Sequence, residues 1–209
     1  MTMLYRGEMV CAQLTRALFK MRYMLLYLTF TSVGSKRINS FAGPFTVYGT
    51  KFGVCDSPPD KPWPSQVYLR PTHFNPAKPN DGQILTGNVT MPEGLNDTRP
   101  GHARVDIWSN NQWKKNAFIF NFPGACTALR NNIPNFFAAL FDLPSGPSSW
   151  NTPCNVKPGT YIVDHKRVFW TYPNVPVFVY GTYRITITAT ELEKVVICMF
   201  GEGTIVPRL

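Results

Sequence analysis

A chain of 209 residues with 44% apolar and only 16% charged residues is long enough to bury a sizeable core and too apolar to be disordered. Aromatics reach 14%, and 19 prolines and 15 glycines are scattered along the chain, which suits many short strands joined by turns and excludes a helical bundle. The formal charge is +9, but no Lys/Arg run exceeds two residues and no recognition motif accompanies it, so nucleic acid is excluded as a partner.

The first segment has the pattern of an export signal. From Lys20 a basic start leads into a short apolar run, and Ser32-Val33-Gly34-Ser35 supplies small residues suited to signal peptidase. The run is shorter than the ~20 residues a membrane span needs, which points to a cleaved secretory signal over 1–35. A signal anchor is the alternative, and Met21 offers a second start that would make 1–20 an extension. Without 1–35 the chain keeps 17 basic and 11 acidic residues, a net charge of +6 that favours anionic membrane surfaces.

From Phe41 the remaining chain reads as strand after strand. Phe45 to Cys55 alternates and is predicted as a strand interrupted by Gly49 and Gly53. Ser57 to Pro64 carries four prolines and is predicted as a loop. Gln66 to Arg70, Gln83 to Met91, His102 to Trp108 and Lys115 to Phe122 follow as strands, separated by Pro-, Asn- and Gly-rich turns. In 126–141, Ala128, Leu129, Ile133, Phe136, Phe137, Leu140 and Phe141 recur every three or four residues, the spacing of a helical segment. Pro134 splits that segment or begins a second helix.

Thr160 to Val163 and Arg167 to Thr171 read as short strands, and Gly201-Glu-Gly203 as a turn. Gly181 to Thr190 alternates cleanly: Tyr183, Ile185, Ile187 and Ala189 face one way, with Arg184, Thr186, Thr188 and Thr190 opposite. Lys194 to Phe200 completes a hairpin. There are no internal repeats. The fold class is mostly β, an antiparallel sandwich in one domain over 36–209 with a short helical segment near 126–141.

Setting Cys11 aside with the leader leaves Cys55, Cys126, Cys154 and Cys198, an even number that implies two disulfides and an oxidising compartment. Their wide spacing argues against a metal site. Asn88-Val-Thr90 and Asn96-Asp-Thr98 are N-glycosylation sequons in keeping with secretion. Four cysteines allow three pairings, and the residues alone leave that choice open.

Catalytic patterns are missing. His73, His102 and His165 lie outside any H-E-x-x-H motif, no G-x-S-x-G elbow exists, and no cofactor fingerprint is present. The positive signal is apolar: Trp170 to Tyr180 packs seven large apolar or aromatic side chains and two prolines into eleven residues. Proline keeps it from a central strand, so some of these side chains stand at an edge or rim, where they pack under another loop or meet an apolar partner.

Several of these residues resemble one family. Cys154-Asn-Val-Lys-Pro-Gly-Thr-Tyr161, Gly181-Thr-Tyr-Arg-Ile185, Gly87-Asn-Val-Thr90 and Arg104-Val-Asp106, with Cys198, are similar in kind and order to elements of the ganglioside GM2 activator family. They also resemble the wider MD-2-related lipid-recognition (ML-like) proteins, among them secreted arthropod members. The resemblance covers roughly 41–206. It implies a β-cup, two immunoglobulin-like sheets splayed around an apolar cavity that takes acyl chains, in a secreted or lysosomal protein without catalysis of its own. It also implies the pairings Cys55–Cys198 and Cys126–Cys154. Additional cysteines of the activator are missing here, which separates this chain from its ganglioside specificity and hydrolase partnership.

On that reading the ligand is a lipid or glycolipid, contact with a membrane surface is transient, and a hydrolase or receptor is the onward partner. Val175, Val177, Phe178, Val179 and Tyr180 form a lip, joined by Trp150. Phe118, Phe120, Phe122, Phe136, Phe137, Leu140, Ile185 and Ile187 supply cavity or core, two roles that ask for the same side chains. A β-sandwich module recognising a protein or receptor is the alternative, and a small secreted hydrolase a third.

Overall fold

The computed structural model describes residues 40–57, 60, 62–146, 149, 151–192 and 194–208; the expected signal segment 1–35 and the lip candidate Trp150 lie outside them. In chain order the elements are β1 (Ala42–Gly43), β2 (Phe45–Val54), β3 (Gln66–Pro71), β4 (Gln83–Met91), β5 (Leu95–Asn96), β6 (Gly101–Ser109), β7 (Gln112–Phe122), α1 (Ala125–Asn132), α2 (Pro134–Phe141), β8 (Asn155–Val156), β9 (Gly159–Val168), β10 (Phe178–Val179), β11 (Gly181–Glu191) and β12 (Lys194–Pro207). They form an antiparallel β-sandwich. One sheet has five strands in the order β2-β12-β11-β6-β7, and the other has three, β3-β4-β9. Two short ribbons, β1-β10 and β5-β8, complete the pairing.

The alternation of β11 becomes two faces. Tyr183 and Ala189 are buried and Ile185 and Ile187 half-buried on the inner face, and the hairpin to β12 extends through Gly181↔Ile205. On the outer face the Arg184 guanidinium donates two hydrogen bonds to Glu202 Oε1, at 3.0 and 2.6 Å, and lies 4.6 Å from the Trp113 ring centre. The Gly201-Glu-Gly203 expectation of a turn is therefore corrected, since all three residues lie inside β12. A Cβ on Gly201 would meet the Phe52 ring at 2.9 Å, so glycine here lets an aromatic ring lie flat on the strand.

Pro134 divides the helical segment as its chemistry requires, occupying the first turn of α2, where its missing N–H costs nothing. The one expected helical segment is thus two. The start of α1 is capped from outside: Gly124 has no side chain to offer, and the Asp97 carboxylate accepts from Thr127 N at 2.7 Å and Thr127 Oγ1 at 2.6 Å. The two strands expected over 160–163 and 167–171 are one, β9, ending at Val168, with 169–171 outside it. His165 at φ 48° takes up the irregularity within it.

The three-stranded sheet packs its inner row, including Leu85, Val89 and Val163, on Phe137, Leu140 and Phe141 of α2, all nearly free of solvent. Gln83 couples the two sheets. Its Oε1 accepts from Gly49 N and Trp170 Nε1, each at 2.7 Å, and its Nε2 donates to the Gly49 carbonyl at 2.9 Å and the Thr72 carbonyl at 2.6 Å. Gln83 is only 2% exposed and its two bonds to Gly49 are buried, so the Gly49 amide and carbonyl would be left without a partner away from water. Gln83→Leu is expected to lower unfolding free energy by about 3 kcal/mol, measured by urea denaturation, because the buried Gly49 amide and the part-buried Trp170 indole N–H lose their acceptor.

Both cysteine pairs are disulfides. Cys55–Cys198 joins the end of β2 to the neighbouring β12, and Cys126–Cys154 ties α1 to the segment entering β8, with Cα separations of 5.5 and 5.6 Å. No helix among the described residues is long and apolar enough to cross a membrane.

Candidate functional site

The inner face of the five-stranded sheet is uneven in a specific way. Reading across the strands in register, one row runs Phe118, Val105, Ile185, Gly201, Phe52, and the next Phe120, Ala103, Ile187, Met199. Phenylalanines stand on the edge strands β7 and β2, with the shorter Ala103, Val105 and Gly201 among the positions between them, so the centre of the face leaves space in front of it. A cavity of about 230 Å³ occupies that space.

Its opposite wall comes from α1 and α2, through Ala128, Leu129 and Phe136, and from the segment after β9, through Trp170, Tyr172, Val175 and Phe178. Phe52, Phe136 and Trp170 close one end as a three-ring cluster, with centres 5.4–5.7 Å apart. At the other end Phe178 meets Phe45, Phe118 and Tyr183 at 5.9, 5.5 and 5.3 Å. Phe120 lines the cavity yet is 44% exposed, so the opening lies along the edge strand β7.

Polar groups are few. Tyr183 donates its hydroxyl to the Val179 carbonyl at 3.0 Å, and burial raises its pKa. Tyr172 also lines the cavity, and burial pushes its phenol up to about 12, so it stays neutral and able to donate throughout the physiological range. A second hollow of about 240 Å³ behind β2 has a mixed lining that includes Asn80, Thr171 and Arg208. The first is the candidate site because its walls are almost wholly apolar.

The sequence-expected residues divide into four groups. Phe120, Phe122, Phe136, Val175, Phe178, Ile185 and Ile187 line the cavity. Phe118 stands at the opening, 39% exposed and against Phe178. Phe137 and Leu140 are core, facing the three-stranded sheet from the other side of α2. Of the lip, Val177 is 53% exposed, whereas Val179 is half-buried and paired with Ala42, and Tyr180 donates its hydroxyl to the Pro44 carbonyl.

Phe45, Phe52, Trp170 and Tyr172 also line the cavity, beyond the lining residues expected from sequence, and Phe41 stands beside the lip. Phe41 is 78% exposed, and its carbonyl accepts the Tyr180 amide at 2.9 Å, placing it beside the lip.

Among the described residues, no group of three or more His, Cys, Asp or Glu side chains is arranged to hold a metal ion. His102 pairs with Asn121 Oδ1 at 2.7 Å and His165 with its neighbour Asp164; both are exposed. No protein-family model matches the chain, and a search of curated proteins returns no match.

Proposed function

We propose that this is a secreted lipid-binding protein that holds an acyl chain in the cavity between the five-stranded sheet and the two helices and delivers it to an enzyme or receptor. The observation that carries the reading is the cavity itself, about 230 Å³ with aliphatic and aromatic walls. An apolar cavity of ~150 Å³ already stays dry and takes an apolar guest. Each methylene moved from water into such a space is worth about 0.8 kcal/mol, so a chain of several carbons binds without any polar contact. Tyr172 is the lining group suited to donate to an ester, amide or hydroxyl at the head of that chain.

The short motifs resembling the GM2 activator and ML-like proteins support the same reading, as do two disulfides and two sequons, Asn88 and Asn96, in a chain with an export-like start. A lipid or glycolipid ligand requires no cofactor. The experiment is organic extraction of the purified protein followed by mass spectrometry. A lipid carrying a long acyl chain at near-stoichiometric amount is expected; protein free of lipid that also fails to take up added fatty acid overturns the reading.

The rim is suited to collecting such a ligand from a membrane. Phe41 and Val177 are exposed at the β1–β10 ribbon, whose Phe178 closes one end of the cavity, and residues 36–209 carry a net charge of +6. Burying one large apolar side chain yields roughly 1.5–3 kcal/mol, so two of them suffice for transient docking. Phe41→Ser with Val177→Ser is expected to reduce co-sedimentation with anionic vesicles by about tenfold or more while leaving the fold intact. Unchanged co-sedimentation would remove the rim from the account.

A further inference from the structure

The described surface carries a second exposed apolar group, away from the cavity. Tyr68 is 64% exposed and Ile162 67% exposed, on the outer face of the three-stranded sheet. Registers Tyr68↔Asn88 and Asn88↔Ile162 put Asn88 on the middle strand directly between them. Directly paired residues point to the same face, with Cβ atoms about 4.5–5.5 Å apart. The alternate residues Val67, Val89 and Val163 are buried, so Asn88 faces outward with its two neighbours.

Gly87 holds this arrangement in place. Its φ of 136° belongs to glycine, and a Cβ there would fall 1.8 Å from the Tyr68 carbonyl oxygen, so β3 and β4 approach more closely than any side chain would allow. The sequon asparagine is thus built into the middle strand of the outer face, between two exposed apolar side chains.

We propose that an N-glycan on Asn88 covers Tyr68 and Ile162, so that the sugar is a shield for this face and not merely a surface decoration. The ring faces of the first N-acetylglucosamine are C–H surfaces, the chemistry that covers a phenol ring and a branched aliphatic chain, while its hydroxyls and amide face water. An exposed apolar pair on the outside of a sheet invites association, and a bulky polar glycan anchored between the two blocks it. Phe41 and Val177 beside the cavity stay uncovered and free to meet a membrane. The inference rests on the chain being secreted, as proposed above.

The test uses the full chain expressed in a secretory eukaryotic host. Glycopeptide mass spectrometry is expected to find Asn88 occupied. Enzymatic removal of the glycan from the folded protein is expected to raise binding of a hydrophobic dye about threefold and to induce self-association seen by light scattering. The double variant Tyr68→Ser with Ile162→Thr is expected to show neither change after the same treatment. Secreted protein with Asn88 unmodified overturns the proposal, as does deglycosylated protein whose dye binding and scattering do not change. Lipid extracted from the same preparations reads the cavity independently, so the failure of one proposal is distinguishable from the failure of the other.

Discussion

Replacing Cys55 and Cys198 with serine is expected to cost about 5 kcal/mol of stability, because that bridge spans a sequence separation of 143 residues. Removing Cys126–Cys154, with a separation of 28, is expected to cost about 3.6 kcal/mol on the same chain-entropy argument. Domains of this size are stable by about 5–15 kcal/mol, so loss of the long bridge consumes a third of that or all of it. Differential scanning calorimetry is expected to show a drop in Tm of about 10–20 °C for the first variant. The two bridges also act on different parts. Cys55–Cys198 joins two already hydrogen-bonded strands, whereas Cys126–Cys154 holds α1, and with it Ala128 and Leu129 of the cavity wall. Loss of the shorter bridge is therefore expected to weaken lipid retention more, for each kcal/mol of stability lost. Equal effects of both variants on retention would show that α1 is held without it.

The second large effect is expected from filling the cavity. Ala103 lies on the inner face of β6, opposite Ile187 and Phe120, with open space in front of it. Ala103→Trp puts an indole into the volume assigned to the acyl chain. Lipid retention is expected to fall by about a hundredfold, equivalent to about 2.7 kcal/mol and to the burial lost by a few methylenes. Stability is expected to hold or rise by about 0.5–2 kcal/mol, as cavity-filling substitutions do. These opposite signs separate a blocked site from a damaged fold. A variant that is destabilised by more than 2 kcal/mol would mean the space is already needed by the surrounding side chains.

Much of the scaffold could be read from residues alone because its cues are local. The alternation of β11 sends Tyr183, Ile185, Ile187 and Ala189 to the inner face, and a period of two leaves no other arrangement. Pro134 marks the junction between the helices because its ring and missing N–H can be accommodated only near a helix start. Where the reading failed, a long-range contact had altered a local rule. Glycines at 201 and 203 look like a turn, but Gly201 sits under the Phe52 ring and a Cβ on Gly203 would come 2.8 Å from the Tyr48 carbonyl oxygen at a bulge.

That same irregularity hid part of the cavity. Phe45, Val47 and Gly49 share a face at odd positions, and the bulge between β2 and β12 brings Phe52 onto it from an even one. A period of two counted from Phe45 places Phe52 outside. Phe136 and Phe137 show a different limit. They are equally apolar and adjacent, but a helix turns about 100° between them, so one meets the cavity and the other the three-stranded sheet. No property of the side chains separates them. Only the position of the second sheet does.

Trp170 allows the central claim to be tested directly, since its ring lines the closed end of the cavity and stacks on Phe52 at 5.5 Å. A fatty acid brominated along its chain quenches only those tryptophans that it approaches closely. Titration into the full chain is expected to quench a saturable fraction of the fluorescence at about one ligand per protein, and Trp170→Phe is expected to abolish that fraction while leaving ligand uptake measurable by extraction. Quenching that persists unchanged in Trp170→Phe would place the chain elsewhere, and the absence of saturable quenching in the wild type would mean that the cavity holds no acyl chain.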